Sequence, residues 1–180
     1  SVLTQPTNGA LAVVGASVTY TPNLNYNGPD SFTFAASDGT SVSNTATISI
    51  TVTPVNDLPV ANNQSVSTNE DTALPITLVA TDVDIPTTLT YSIVTPPTNG
   101  TLSVVTGAGV TYTPNLNYNG PDSFTFRAND GTANSNTATV SITVNAINDP
   151  PVAANQSVNV PEDGSVAITL VGTDVEGSSL

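Results

Sequence analysis

The 180-residue chain contains no cysteine, histidine, lysine, methionine or tryptophan, and it sets one base, Arg127, against 14 acids. Each absence removes a class of chemistry. Without cysteine there is no disulfide framework, thiolate zinc site, iron–sulfur cluster or thiol nucleophile. Without histidine there is no Ser–His or Cys–His dyad and no imidazole ligand. Without lysine there is no Schiff base, no phosphate-loop lysine and no Lys–Asn isopeptide cross-link. The net charge of −13 repels nucleic acid. No apolar run approaches the ~20 residues of a membrane-spanning helix, so membrane insertion is not expected.

Charged residues make up 8% of the chain, against about 25% in ordinary domains. Leu, Ile, Val and Phe nevertheless account for 46 of 180 residues, about a quarter and enough to build a core. The surface is therefore Thr, Ser and Asn. That composition suits strands and an extracellular or cell-surface setting.

What is present is a repeat. Residues 18–34 read VTYTPNLNYNGPDSFTF, and residues 110–126 repeat them letter for letter at an offset of 92. The same offset carries Asn56-Asp57 onto Asn148-Asp149, Glu70-Asp71 onto Glu162-Asp163, and Ile76 to Val79 onto Ile168 to Val171. The chain thus divides into the back of one repeat (1–55), a complete repeat (56–147) and the front of a third (148–180). Two readings follow: an excerpt from a longer array, or a subunit whose tail completes the head of the next identical chain by strand complementation.

Period-2 alternation dominates. Strands are expected near 64–68, 73–80, 88–95, 101–105, 109–113, 123–128 and 136–145, separated by turn signals such as Asn99-Gly100, Asn119-Gly120-Pro121 and Asp130-Gly131. Seven short strands in ~92 residues indicate an all-β chain of tandem Ig-like Greek-key sandwiches. Ala138, Val140, Ile142 and Val144 define a buried face with Thr and Ser opposite. Phe124 and Phe126 join them, and Tyr112 and Tyr118 stack on the core or cap its edge.

Twelve acids fall into two equivalent sets: a loop Asp-Gly (Asp38; Asp130), an Asn-Asp linker (Asn56-Asp57; Asn148-Asp149), a Glu-Asp pair (Glu70-Asp71; Glu162-Asp163) and an alternating pair (Asp82 and Asp84; Asp174 and Glu176). Singly, each is an ordinary turn, linker or solvated-loop residue. If the sandwich brings them to its poles, their mutual repulsion calls for a hard cation. Calcium, which takes six to eight oxygens in flexible geometry, suits them better than magnesium. Asp82-Val83-Asp84 fits a ligating loop because alternate side chains on an extended segment point the same way. Asp30 and Asp122, in Gly-Pro-Asp-Ser-Phe, read as turn-capping residues.

The order Asn-Asp-Pro-Pro-Val-Ala, Glu-Asp, Thr-Asp-Val-Asp, Asn-Gly-Thr-Leu, Tyr-Thr-Pro, Tyr-Asn-Gly-Pro-Asp-Ser-Phe and Asn-Asp-Gly resembles bacterial cadherin-like, Ig-like tandem repeats of large extracellular adhesins and of some multidomain secreted enzymes. The resemblance implies tandem arrays and calcium-stiffened joints. It places ligands on Asp38, Asn56, Asp57, Glu70, Asp82 and Asp84, and again on Asp130, Asn148, Asp149, Glu162, Asp174 and Glu176. The sequence departs from the animal cadherin pattern in lacking the fuller Asp-X-Asn-Asp-Asn linker, in Ile85-Pro86 after Asp84, and in Glu176 for the second Asp.

The resulting expectation is a non-catalytic stalk or filament segment whose partners are neighbouring repeats or identical chains head to tail. A polysaccharide-binding accessory module is the alternative. A carboxylate-pair hydrolase lacks any sign of a pocket. Asn63, Asn99 and Asn155 open glycosylation sequons, which Asn/Ser/Thr-rich sequence produces by chance.

Overall fold

The computed structural model describes residues 1–84 and 88–177. Ile85-Pro86 and the end of the third repeat (178–180) lie outside the described residues. Every regular element described is a strand, as the composition requires, and none is a helix long and apolar enough to cross a membrane. Two compact units emerge: Ser1–Leu58 with a loop beginning at Asp82, and Pro59–Thr81 with residues from 88 onward.

The first unit contains β1 (Val2–Thr4), β2 (Gly9–Val14), β3 (Ser17–Pro22), β4 (Gly28–Phe34) and β5 (Ala46–Val52). They form a three-stranded antiparallel sheet in the order β1-β4-β5 and a β2-β3 hairpin. The second unit contains β6 (Val60–Ala61), β7 (Gln64–Asn69), β8 (Leu74–Thr77), β9 (Ala80–Thr81), β10 (Thr90–Thr95), β11 (Gly100–Leu102), β12 (Gly109–Pro114), β13 (Gly120–Asn129) and β14 (Ala138–Asn145). Its sheets are β10-β13-β14-β7 and β11-β12-β8, with a short β6-β9 ladder. These seven main strands are the ones read from periodicity, and they make the β-sandwich. β7 runs parallel to β14, so the first long strand of the repeat pairs beside its last.

The core of the complete repeat follows from the alternation. Ala138, Val140, Ile142 and Val144 are buried along β14, with Ser141 and Thr143 exposed between them. Phe124 and Phe126 extend the same face on β13, and Tyr112 and Ile76 from the second sheet, with Leu78 just after β8, close the other side. Tyr91 meets Phe126 at a ring separation of 6.3 Å, within the range of tilted aromatic pairs.

Asn-Gly-Thr has a steric origin. A Cβ on Gly100 would stand 2.4 Å from the Tyr112 ring and 2.6 Å from the Thr113 carbonyl oxygen, which lies on fixed backbone. Gly100→Ala therefore costs about 1–3 kcal/mol of overpacking, read as a lowered melting temperature of the complete repeat.

The flanking repeats show what the missing strands supply. Beyond β14 the described residues form one ladder, β15 (Val152–Ala153) with β16 (Gly172–Thr173). Residues 156–161 and 166–169 are the counterparts of β7 and β8, yet they are not strands. β7 is hydrogen-bonded to β14 and β8 to β12, and the partners in each case come later in the repeat. The alternating pattern is present in 156–169, but a strand needs a neighbour to bond. β15 and β16 pair because both partners lie within the same stretch.

Candidate functional site at the linkers

At the first linker, the Asn56 side-chain amide donates to the Asp57 carbonyl (2.8 Å), the Asp57 N–H donates to Asp84 Oδ2 (2.7 Å), and the Asp84 N–H donates to Asp82 Oδ1 (2.9 Å). The second linker repeats this design. The Asn148 amide donates to the Asp149 carbonyl (3.0 Å), the Asp149 N–H to Glu176 Oε1 (2.9 Å), and the Glu176 N–H to Asp174 Oδ1 (3.0 Å). The Asp-X-Asp/Glu loop thus clasps the linker in both places. Glu176 performs the same bond as Asp84. Oδ2 of Asp82 and Oδ2 of Asp149 are buried and have no hydrogen-bond partner among the described residues.

The other predicted ligands are dealt out differently from the sequence reading. Asp38 follows β4 and Asp57 follows β5, at opposite ends of an antiparallel ladder running from Gly28↔Val52 to Phe34↔Ala46. Seven paired residues span about 20 Å, so Asp38 does not join Asp57 within this unit. Asp38 Oδ1 instead accepts from the backbone N–H of Thr40 and Ser41 and the Thr40 hydroxyl. Those donors, led by the Thr40 and Ser41 N–H groups, hold its carboxyl down at about 2. Asp130 Oδ1 likewise accepts from the Thr132 and Ala133 N–H groups, both at 2.6 Å. These are Asp-Gly turns stabilised by their own carboxylates.

Glu70 and Asp71 lie at the exit end of the complete repeat, because the parallel pairing of β7 with β14 brings Asn69 beside Asn145. Glu70 is buried, and its Oε1 accepts the Ile147 N–H at 2.5 Å, two residues before Asp149. Asp71 has φ 57° and accepts the Asn117 N–H at 3.0 Å. Asp130 sits at the other end of β14, near Asn136, whose side chain bonds both backbone groups of Ala61. Glu162 and Asp163 lie on an exposed stretch, with Asp163 at φ 59°.

Sequence reasoning missed the asparagine loop. A cleft of about 270 Å³ at the first linker is lined by Asn23, Asn25, Tyr26, Asn27, Asp57 and Asp84, among others. The available signal was the alternation of Asn23, Asn25 and Asn27, the same spacing that made Asp82 and Asp84 noticeable. Among the described residues no group of three acidic side chains stands close enough to hold a metal ion, so carboxylates alone do not make the site.

Asp30 and Asp122 do more than cap a turn. Asp122 accepts the N–H groups of Thr98 (3.1 Å), Asn99 (3.0 Å) and Ser123 (2.8 Å) and the Tyr112 hydroxyl (2.9 Å). Asp30 accepts the matching set from Thr7, Asn8, Ser31 and Tyr20. Both carboxylates are buried. Burial and the bond to Asp30 push the Tyr20 phenol up to about 12, and burial and Asp122 raise Tyr112 in the same direction. The letter-for-letter block is a structural hub.

The bacterial Ig domain family matches residues 1–51 and 56–143, the two stretches separating at the first linker. Integrin beta-like protein E of Dictyostelium discoideum is 34% identical over 180 residues, covering 89% of this chain and 9% of that protein. Integrin beta-like protein C of the same organism is 34% identical over 182 residues, with the same coverage of each. The chain thus spans 9% of the length of these curated relatives. Among solved structures, one endo-fucoidan hydrolase of glycoside hydrolase family 107 aligns with 81% of this chain and 24% of its own, at 26% identity and a TM-score of 0.42. A second aligns with 80% and 27%, at 17% identity and a TM-score of 0.38.

Proposed function

We propose that this chain, which belongs to the bacterial Ig domain family, is a non-catalytic structural segment of an extracellular repeat protein, a stalk that holds other parts away from a surface and whose joints calcium stiffens. The carrying observation is the linker clasp. It occurs twice with the same pattern of bonds, Glu176 standing for Asp84, and each copy contains a buried carboxylate oxygen with no hydrogen-bond partner among the described residues, on Asp82 in the first and on Asp149 in the second. A clasp built from acids tightens when a cation neutralises them. Asp57, Asp82 and Asp84 supply the charge, and the asparagine carbonyl oxygens of the adjoining cleft fill out a calcium shell that carboxylates alone do not complete. Neighbouring repeats are the partners in this reading.

Calcium titration tests the proposal. With an affinity of roughly 10⁻⁴–10⁻³ M, calcium at ten times Kd stabilises by about 1.4 kcal/mol and raises Tm by about 5–10 °C. A chelator reverses the shift, and Asp82→Asn/Asp84→Asn removes it while leaving the calcium-free melting point near the parent's. An unchanged Tm together with an unchanged particle length by X-ray scattering rules the calcium joint out.

A further inference from the structure

The second linker differs from the first in one bond. Asp149 precedes Pro150, whereas its counterpart Asp57 precedes Leu58. Proline has no N–H. An Asp–Leu pair keeps the ordinary side reaction of aspartate, in which the following N–H attacks the side-chain carboxyl. An Asp–Pro pair has lost it and retains the reverse attack, by the carboxylate on the main-chain carbonyl carbon. The proline nitrogen is then the leaving group, and as a tertiary amide nitrogen becoming a secondary amine it takes up a proton readily.

The parts of that attack are in place. The Asn148 side-chain amide donates to the Asp149 carbonyl oxygen at 3.0 Å, the distance at which a donor stabilises negative charge developing on a carbonyl. The Asp149 N–H is tied to Glu176 Oε1 at 2.9 Å, which holds the main chain of the residue. Asp149 Oδ2 is buried and has no hydrogen-bond partner among the described residues, so no donor competes for it as a nucleophile. Its attack on the carbonyl of its own residue closes a five-membered ring and needs no second molecule to be brought up. Pro150 is exposed, so solvent reaches the departing nitrogen.

We propose that the chain severs itself between Asp149 and Pro150. An oxygen of the Asp149 carboxylate attacks the Asp149 carbonyl carbon. A C–O bond forms, the C–N bond to Pro150 breaks, and the nitrogen leaves with the electron pair and takes a proton from the buffer acid. Water opens the cyclic anhydride left on Asp149, which restores the side-chain carboxylate and creates a new C-terminal one. Nothing is oxidised or reduced, and the sum is hydrolysis of one peptide bond. Asp149 is the catalytic residue, and Asn148 is the donor to the developing oxyanion. The first linker has the same arrangement, with the Asn56 amide on the Asp57 carbonyl at 2.8 Å. Leu58 follows there, so that joint is expected to stay whole.

The test is incubation of the 180-residue chain in mildly acidic buffer below its melting temperature, followed over days by intact-mass spectrometry. A chelator is present throughout, so the outcome does not depend on calcium. Fragments 1–149 and 150–180 are expected. They should form at least about fivefold faster from the folded chain than from the same chain in denaturant, which separates the arranged site from the acid lability of any Asp–Pro bond. Asn148→Ala is expected to slow scission about tenfold or more, and Asp149→Ala and Pro150→Leu to abolish it, with the melting of the complete repeat unchanged in each. Pro150→Leu installs the dipeptide of the first linker, where the same clasp forms. Scission no faster in the folded chain than in denaturant overturns the proposal. So does an Asn148→Ala chain cut at the parent's rate, or equal cutting between Asp57 and Leu58.

Discussion

Phe126→Ala is expected to destabilise the complete repeat by about 3–5 kcal/mol, while Phe34→Ala, the same change in an identical 17-residue setting, is expected to cost well under half of that. Phe126 is fully buried in the core of the complete repeat, which includes Ile76 and Leu78 and the Tyr91 ring beside it. Phe34 lines an apolar groove of the first unit and is half-buried. The local sequence is the same, so the difference measures what the rest of the complete repeat adds: β7, β8 and the Tyr91 ring. For a domain of this size the larger figure lowers Tm by more than 10 °C and removes much of an ordinary stability of 5–15 kcal/mol. The measurement is denaturant unfolding by tyrosine fluorescence. Two equal losses would show that the additional strands and the Tyr91 ring of the complete repeat add nothing to the burial of this side chain.

That contrast also explains how much was legible in the sequence. Strand positions in the complete repeat were readable because each strand carries its own alternation and finds a partner nearby. The same alternation in 156–169 yields no strand, because hydrogen-bond partners are a property of the whole repeat and not of the segment. The clasp at each linker was half legible. The spacing of Asp82 and Asp84 marks a loop that aims its carboxylates together, and the structure uses it so.

Assigning Asp38 and Glu70 to the joint at Asp57 was a different kind of inference. It required knowing which end of the sandwich each turn occupies. That depends on strand direction, and the parallel β7–β14 pair places Glu70 beside Ile147. A list of acids contains no such information. The asparagine loop was overlooked because Asn-rich stretches read as turns before they read as oxygen donors.

Asp122→Asn is expected to cost about 2–3 kcal/mol, since an amide cannot accept from all four donors that the carboxylate serves. At least one buried N–H or the Tyr112 hydroxyl would then face an NH₂ group, and a buried donor left unmade costs about 1–3 kcal/mol. Tyr112→Phe removes only one donor and leaves the backbone bonds, so it costs about 1 kcal/mol. Unlike the phenylalanine pair, this hub is already complete in the open unit: Asp30 makes the matching set of bonds without covering strands. Asp30→Asn therefore weakens the first unit as Asp122→Asn weakens the second. The pH dependence has a definite sign. Burial alone would raise the Asp30 carboxyl, but the N–H groups of Ser31, Asn8 and Thr7 and the Tyr20 hydroxyl outweigh it and hold it below its ordinary value. Its contribution is thus whole above about pH 4 and is lost as acid carries the pH down through the depressed value. Acid titration of the parent and the asparagine variant, followed by melting, is expected to show a steeper loss in the parent. Parallel acid curves would mean that the shared block is held together by packing and not by its carboxylate.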